Sequence, residues 1–212
     1  MKKCVIFCAG ELDSLAAPIH KDDFVIAADG GLLHAQRLGL KPDLVLGDFD
    51  SLGFVPEGAM VFPVEKDDPD SMLAVREGLA RSCKEFWIYG GLDGKRLDHT
   101  VANFQTLQFL ADHGACGYLI GKDYLVTVIK DGALEFSAEA EGILSLFCLG
   151  ADATGVTLTG LKYTLNNGTL TAGLPLGVSN HFIGKSANIS VKNGSLLAIW
   201  DRKNGFPVRK EA

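Results

Sequence analysis

Five short apolar runs, separated by stretches of helical periodicity, constrain the first half of this chain more than any other feature. Val5-Ile6-Phe7, Phe24-Val25-Ile26-Ala27, Leu44-Val45-Leu46, Phe86-Trp87-Ile88-Tyr89 and Tyr118-Leu119-Ile120 each read as a buried strand. Between them, residues 31–39, 69–82 and 99–113 read as helices. In the last of these, Val101, Phe104, Leu107 and Leu110 recur at helical spacing. Strand, helix and strand in alternation predict a parallel sheet with helices on its faces. In such sheets, ligands gather in the crevice beyond the carboxyl ends of the strands.

After about residue 123 the texture changes. Gly, Thr, Asn and Ser become frequent, and the apolar runs shorten. Glu141 to Leu149, Val156 to Leu161, Gly168 to Ala172, Ala187 to Val191 and Leu196 to Trp200 read as antiparallel strands. Asn166-Asn167-Gly168 and Lys192-Asn193-Gly194 supply hairpin-turn chemistry, since Asn and Gly tolerate positive φ. The expected architecture is therefore an α/β domain over residues 1–123 followed by a small antiparallel β-sandwich over 124–212.

Composition narrows the function classes. The chain has 212 residues, of which 47% are hydrophobic and 22% charged, which excludes a disordered, collagen-like or coiled-coil protein. The net charge of −6 argues against a general nucleic-acid binder, and it implies that a bound phosphate brings a metal with it. Five cysteines, at 4, 8, 83, 116 and 148, form no CxxC pair, so zinc-ribbon and thioredoxin readings fail. A reducing, cytoplasmic setting fits them. Met1-Lys2-Lys3 and the apolar residues after it mimic a signal peptide, but the run is short and meets Glu11 and Asp13 at once. No apolar run approaches the ~20 residues of a membrane span.

The chemistry gathers in four segments that follow predicted strands or open predicted helices. These are Asp29-Gly30-Gly31, Gly47-Asp48-Phe49-Asp50-Ser51, Lys66-Asp67-Asp68-Pro69-Asp70, and the run from Gly90-Gly91 through Gly94-Lys95-Arg96-Leu97-Asp98-His99. Parallel strands put all four on one edge of the sheet. Bare carboxylates repel one another there, and a hard cation such as Mg²⁺ relieves the repulsion while bridging to substrate phosphates. Arg96 can take phosphate oxygens with its planar fork, and Gly-rich backbone can approach them closely. Each piece also has a structural reading. Asp48 and Asp50 can close a turn, Asp68 and Asp98 can cap helices, Asp70 can complement a helix dipole, and Asn103 can tie its helix to a loop. His99 reads as structural sooner than catalytic. Convergence of all four segments favours a site. The run Gly90 to Lys95 mimics a P-loop, but it is one residue short between its outer glycines, and Arg96 stands where Ser or Thr is needed.

On these residues the sequence resembles the thiamin pyrophosphokinase family. Asp29-Gly30-Gly31, Pro42-Asp43 leading to Gly47-Asp48-Phe49-Asp50-Ser51, Lys66 to Asp70, Gly94-Lys95-Arg96-Leu97-Asp98-His99 and Asn103 follow the family's order. Gly160-Leu161-Lys162-Tyr163 and Ser179-Asn180 resemble its two thiamin-side motifs. Pro69, Lys95 and Tyr163 depart from it, standing where Thr, Gly and Trp are common. The resemblance implies transfer of the pyrophosphoryl group of ATP to the hydroxyl of thiamin, giving thiamin diphosphate and AMP. It implies Mg²⁺ on Asp48, Asp50 and Asp70. Asp29, Gly30, Gly91, Gly94, Arg96, His99 and Asn103 would form the nucleotide side, with Arg96, Asp98 and Asp70 acting in catalysis. Asp98 would orient the hydroxyl or the thiamin base, and Tyr163, Ser179 and Asn180 would hold the aminopyrimidine. It also implies a homodimer whose active sites are shared between chains. Two alternatives stand beside this reading: a pyrophosphokinase for another hydroxymethyl heterocycle such as a pterin, and a non-catalytic sensor of thiamin or nucleotide.

Overall fold

The computed structural model describes residues 2–50 and 52–211; Ser51 of the Gly47–Ser51 motif lies outside them. The chain divides into two compact units, Met1–Lys122 and Asp123–Ala212.

The first unit contains β1 (Lys3–Phe7), β2 (Phe24–Ala28), α1 (Gly31–Arg37), β3 (Leu44–Gly47) and β4 (Met60–Val61). It continues with α2 (Asp70–Ala80), β5 (Glu85–Tyr89), α3 (Leu97–Asp112) and β6 (Cys116–Ile120). Its strands lie in the order β6-β5-β1-β2-β3-β4, and every neighbouring pair is parallel. The apolar runs are the reason. Cys4 to Phe7 of β1 and Phe86, Ile88 and Tyr89 of β5 are fully buried, as a strand covered on both faces requires. The two-residue edge strand β4 escaped sequence reading because two exposed residues carry no period.

Helix starts and faces differ from expectation in instructive ways. Pro69, not Asp68, is the N-cap residue of α2, and Asp68 instead pairs with Arg76 at 2.6 Å. Arg96, not Asp98, is the N-cap residue of α3, which leaves Asp98 in the first turn. The buried face of α3 is Asn103, Thr106, Leu107 and Leu110, while Val101 is exposed. A step of three residues falls short of a full turn by about 60°, so Val101 and Leu110 lie on opposite sides of the helix.

The second unit is antiparallel throughout: β7 (Tyr124–Phe136), β8 (Ile143–Cys148), β9 (Ala153–Thr159), β10 (Leu165–Leu170), β11 (Asn180–His181), β12 (Ala187–Asp201) and β13 (Val208–Glu211). The long strand β12 organises it. It pairs with β7 along nearly its whole length, with β9 through Asn188–Asn193, and with β8 through Leu196–Trp200. The change of partner falls at a register shift between Val191 and Ser195. A strand that bends at a bulge can serve two layers of a sandwich. The expected hairpin at Lys192-Asn193-Gly194 is therefore this bulge. Gly194 has φ +104°, and its N–H donates to Asp131 Oδ1 at 3.0 Å. Asn166-Asn167-Gly168 likewise lies inside β10 at a register shift, with Asn167 at φ +49°. The positive-φ chemistry was read correctly, but it serves bulges, not turns. The core holds Trp200, Leu196, Ile189 and Leu144, with the Phe136 ring against Phe182 and Trp200 at centroid distances of 5.0 and 5.4 Å. No helix among the described residues is long and apolar enough to cross a membrane.

Candidate active site

The parallel sheet reverses its direction of growth at β1. Strands β2 to β4 extend to one side of it, and β5 and β6 to the other. The loops leaving β1 and β5 diverge at such a point and open a crevice. A cleft of about 580 Å³ lies there, walled by Cys8–Glu11, Asp29, Pro69–Ser71, Gly90, Gly91 and the Gly94–Arg96 segment. The two loops are stitched by Cys8 N–H to Tyr89 O at 2.8 Å and Gly10 N–H to Gly90 O at 3.0 Å. The approach leaves no room for side chains. A Cβ on Gly10 would fall 2.3 Å from Gly90 O, and one on Gly90, which has φ +68°, 2.4 Å from Cys8 O.

The carboxylates come from three neighbouring strand and helix ends. Asp29 follows β2 with φ +48°, and its N–H donates to Leu46 O at 2.8 Å, which binds it to β3. Asp48 and Asp50 follow β3 and flank Phe49, which is buried and has φ +60°. That left-handed residue turns its ring into the core. Ligand oxygens of Asp29, Asp48 and Asp50 all lie within 4.8 Å of one another. An all-oxygen, all-anionic set of this kind suits a hard divalent cation.

Asp70, the first residue of α2, reaches this group through Lys66. The Lys66 ammonium lies 2.5 Å from Asp48 Oδ2 and 3.1 Å from Asp70 Oδ1. The hydrogen bond from Lys66 holds the Asp48 carboxyl below its ordinary range. Burial pushes Asp70 up, Lys66 partly offsets this, and the charges of Asp48 and Asp29 add to the rise. For Lys66, burial disfavours the charged form, but its bonds to Asp48 and Asp70 outweigh burial, and its net shift is upward. Sequence reading placed the metal on Asp48, Asp50 and Asp70. In the structure the close carboxylate group is Asp29, Asp48 and Asp50, and a lysine stands between Asp48 and Asp70.

On the opposite wall, Arg96 grips Asp98 with Nε to Oδ1 at 2.9 Å and Nη2 to Oδ2 at 2.6 Å. The pair is exposed, and Arg96 holds the Asp98 carboxyl down to about 2. Arg96, Gly91, Gly94, His99 and Asn103 line the cleft; Asp98 and Gly30 do not, and Gly30 is the N-cap residue of α1. Asn103 is buried. Its Nδ2 donates to Gly91 O at 2.7 Å, and its Oδ1 accepts from Ser71 Oγ at 2.7 Å. Its amide braces the glycine loop against α2, as the structural reading of that residue anticipated.

In the second unit, Tyr163, Ser179 and Asn180 come together. Asn180 is buried, with Nδ2 donating to Tyr163 O at 2.7 Å and Oδ1 accepting from Tyr163 N–H at 2.9 Å. The Asn180 amide thus fixes the backbone that carries Tyr163, whose ring is exposed and lies under Lys162 Nζ at 5.3 Å. Ser179 has φ +59°, and its N–H donates to Ser145 Oγ at 3.1 Å.

Sequence reasoning passed over three contributors. Lys66 shows in the sequence only as the start of the Lys66–Asp70 segment, because it lies ahead of α2, where no helical spacing marks its contact with Asp70. The Cys8–Glu11 loop carries no charged motif beyond Glu11, although it follows a strand and ligands gather after strand ends. His34, whose Nε2 lies 2.7 Å from Gly10 O, carried no local signal. Burial, and next the charge of Asp70, pushes the Cys8 thiol up to about 12.

Acidic loops beside a glycine-walled cleft at the switch point of a parallel sheet define a phosphoryl-transfer enzyme of the α/β class. Two family models match the chain in succession: "Thiamin pyrophosphokinase, catalytic domain" over residues 15–116, and "Thiamin pyrophosphokinase, vitamin B1 binding domain" over residues 133–196. The thiamine pyrophosphokinase of Bacillus subtilis is 29% identical over 183 residues, 82% of this chain and 85% of that protein. A crystal structure of the Bacillus subtilis enzyme superposes with a TM-score of 0.83 at 26% identity, covering 94% of this chain and 99% of that one. A thiamin pyrophosphokinase family protein from Enterococcus faecalis gives 0.77 at 26% identity, covering 95% and 99%. The chain belongs to the thiamin pyrophosphokinase family.

Proposed function

We propose that this chain transfers the pyrophosphoryl group of ATP to the hydroxyl of thiamin, releasing AMP. The observation that carries the reading is the succession of a catalytic-domain match and a vitamin B1 binding-domain match along one chain. The second match favours thiamin over a pterin. The acidic group favours an enzyme over a sensor, because a binder has no need of transition-state electrostatics.

The hydroxyl oxygen attacks the β-phosphorus, the bond from the β-phosphorus to the oxygen bridging it to AMP breaks, AMP leaves with that oxygen, and the hydroxyl proton passes to water. Asp48 and Asp50, with Asp29 or Asp70, would hold Mg²⁺, which would supply charge neutralisation on the phosphates. The glycine backbone at Gly10, Gly90 and Gly91 lets the phosphates approach. Arg96 offers its fork to the transferring group, in exchange for or alongside Asp98. While Arg96 grips it, the Asp98 carboxyl is held low and is a weak proton acceptor, so we assign it to orienting thiamin by accepting a hydrogen bond. Tyr163 offers a ring for the aminopyrimidine, Ser179 a hydroxyl, and Asn180 holds Tyr163 in place. We further propose a cytoplasmic homodimer in which one chain's Asp48 and Asp50 serve the thiamin held by its partner.

Incubation with ATP, thiamin and MgCl₂, followed by chromatography of the nucleotides, tests the reaction. AMP rising in step with thiamin diphosphate is the expected result. ADP rising with thiamin monophosphate would make the protein an ordinary kinase, and binding of both substrates without turnover would make it a sensor.

A further inference from the structure

Both oxygens of Asp48 are engaged: Oδ2 by the Lys66 ammonium at 2.5 Å, and Oδ1 by the Asp50 N–H at 3.3 Å. The same ammonium lies 3.1 Å from Asp70 Oδ1. The three side chains are well shielded, at 13, 11 and 24% exposure for Lys66, Asp48 and Asp70, so water screens this bridge less than an open surface pair. Lys66 lies before α2, Asp70 opens it, and Asp48 follows β3. One ammonium therefore holds two separate elements at one set of carboxylates.

We propose that Lys66 is a built-in counter-ion that occupies the carboxylate group in the metal-free protein and must be displaced from Asp48 when a divalent cation binds. The inference rests on the proposed metal role of Asp48 and Asp50. Asp29, Asp48 and Asp50, within 4.8 Å of one another, with Asp70 joined to them through Lys66, would repel one another without a cation. The tethered ammonium supplies one charge, enough to hold the loops in position and too little to saturate the group. Its Nζ sits on one of the two Asp48 oxygens open to a metal and brings a positive charge beside the other, so the two cations compete. The consequence is weak metal binding by the protein alone. A metal arriving with a nucleotide has the phosphates as further ligands, and these offset the loss of the lysine contact. Released from Asp48, the ammonium keeps Asp70 within reach and is free to meet the added phosphate charge.

The test measures Mn²⁺ binding without nucleotide, read from the electron paramagnetic resonance signal of the free ion, together with the melting temperature of the metal-free protein. Lys66→Met removes the charge and keeps the stem; Lys66→Gln is the second variant in case Met fails to fold. The expected result is Mn²⁺ binding about tenfold tighter or more, because repulsion between the ammonium and the divalent ion is gone. The metal-free variant melts lower than the unsubstituted protein, and saturating Mn²⁺ restores the difference. Lys66→Arg, which keeps the charge, stays within about twofold of the original Mn²⁺ affinity. Equal or weaker Mn²⁺ binding by folded Lys66→Met and Lys66→Gln overturns the proposal. Asp48→Asn separates this from failure of the metal assignment. If that variant binds Mn²⁺ as the unsubstituted protein does, Asp48 is no ligand and both readings fall.

Discussion

Two residues apart in one loop, Asp48 and Asp50 are brought to the same place by the left-handed backbone of Phe49 between them. Replacing either with Asn keeps the shape and removes one unit of negative charge. Turnover should fall by about 10²-fold or more, the scale of losing one transition-state electrostatic contact. An unchanged circular dichroism spectrum and melting curve would show that the fold is intact. Across the cleft, Arg96 sets the protonation of Asp98. The carboxyl is lowered from 3.8 to about 2, so its pairing is complete above pH 3.8 and is lost as pH falls through about 2. In Arg96→Gln the Asp98 carboxyl should titrate near its ordinary value, followed by NMR of the side-chain carboxyl carbon. Turnover should fall as well, since the fork that meets the phosphates is gone.

At the scale of elements, the cleft depends on how α2 and α3 are pinned to the glycine loop after β5. Asn103 does this with both ends of its amide, to Gly91 O and from Ser71 Oγ. Asn103→Leu leaves Gly91 O and Ser71 Oγ without this partner in a buried setting. The expected cost is about 1–3 kcal/mol per unsatisfied group, measured by urea denaturation. Hydrogen exchange at residues 90–96 should quicken in the variant, whereas exchange in β12 should stay as it is. The helix itself was legible, because Leu107 and Leu110 announce an apolar face. Its buried face was not, because Asn103 and Thr106 share that face and polar residues do not register in an apolar pattern.

For the whole molecule, the proposed phosphate machinery lies in Met1–Lys122, and the proposed thiamin contacts Tyr163 and Ser179 lie in Asp123–Ala212. A site shared across a two-fold dimer predicts complementation. Asp48→Asn and Tyr163→Ala, each inactive alone, should regain activity when co-expressed. One site of a mixed dimer then carries both lesions and the other none. Random assortment makes about half the dimers mixed, so about a quarter of normal activity should return. Mixed dimers isolated through two different affinity tags, with no activity recovered, would place both halves of the site in one chain.

The sequence alone determined that the first unit is a parallel sheet with helices on its faces, because strands covered on both faces must be continuous apolar runs and the segments between them had helical period. It also placed Asp29, Asp48 and Asp50 on one edge, since each follows a strand and parallel strands end together. Only the tertiary structure decided which carboxylates meet. Asp29 joins Asp48 and Asp50 because β2 and β3 are hydrogen-bonded neighbours, and Asp70 is joined to Asp48 through Lys66. It alone decided that Lys192-Asn193-Gly194 bends one strand instead of ending it, because positive φ suits a bulge as well as a turn, and the pairing of β12 with β7 on both sides settles which. Periodicity reports what a segment buries. Which partner it buries that face against is a long-range choice, made by the packing of the whole sheet.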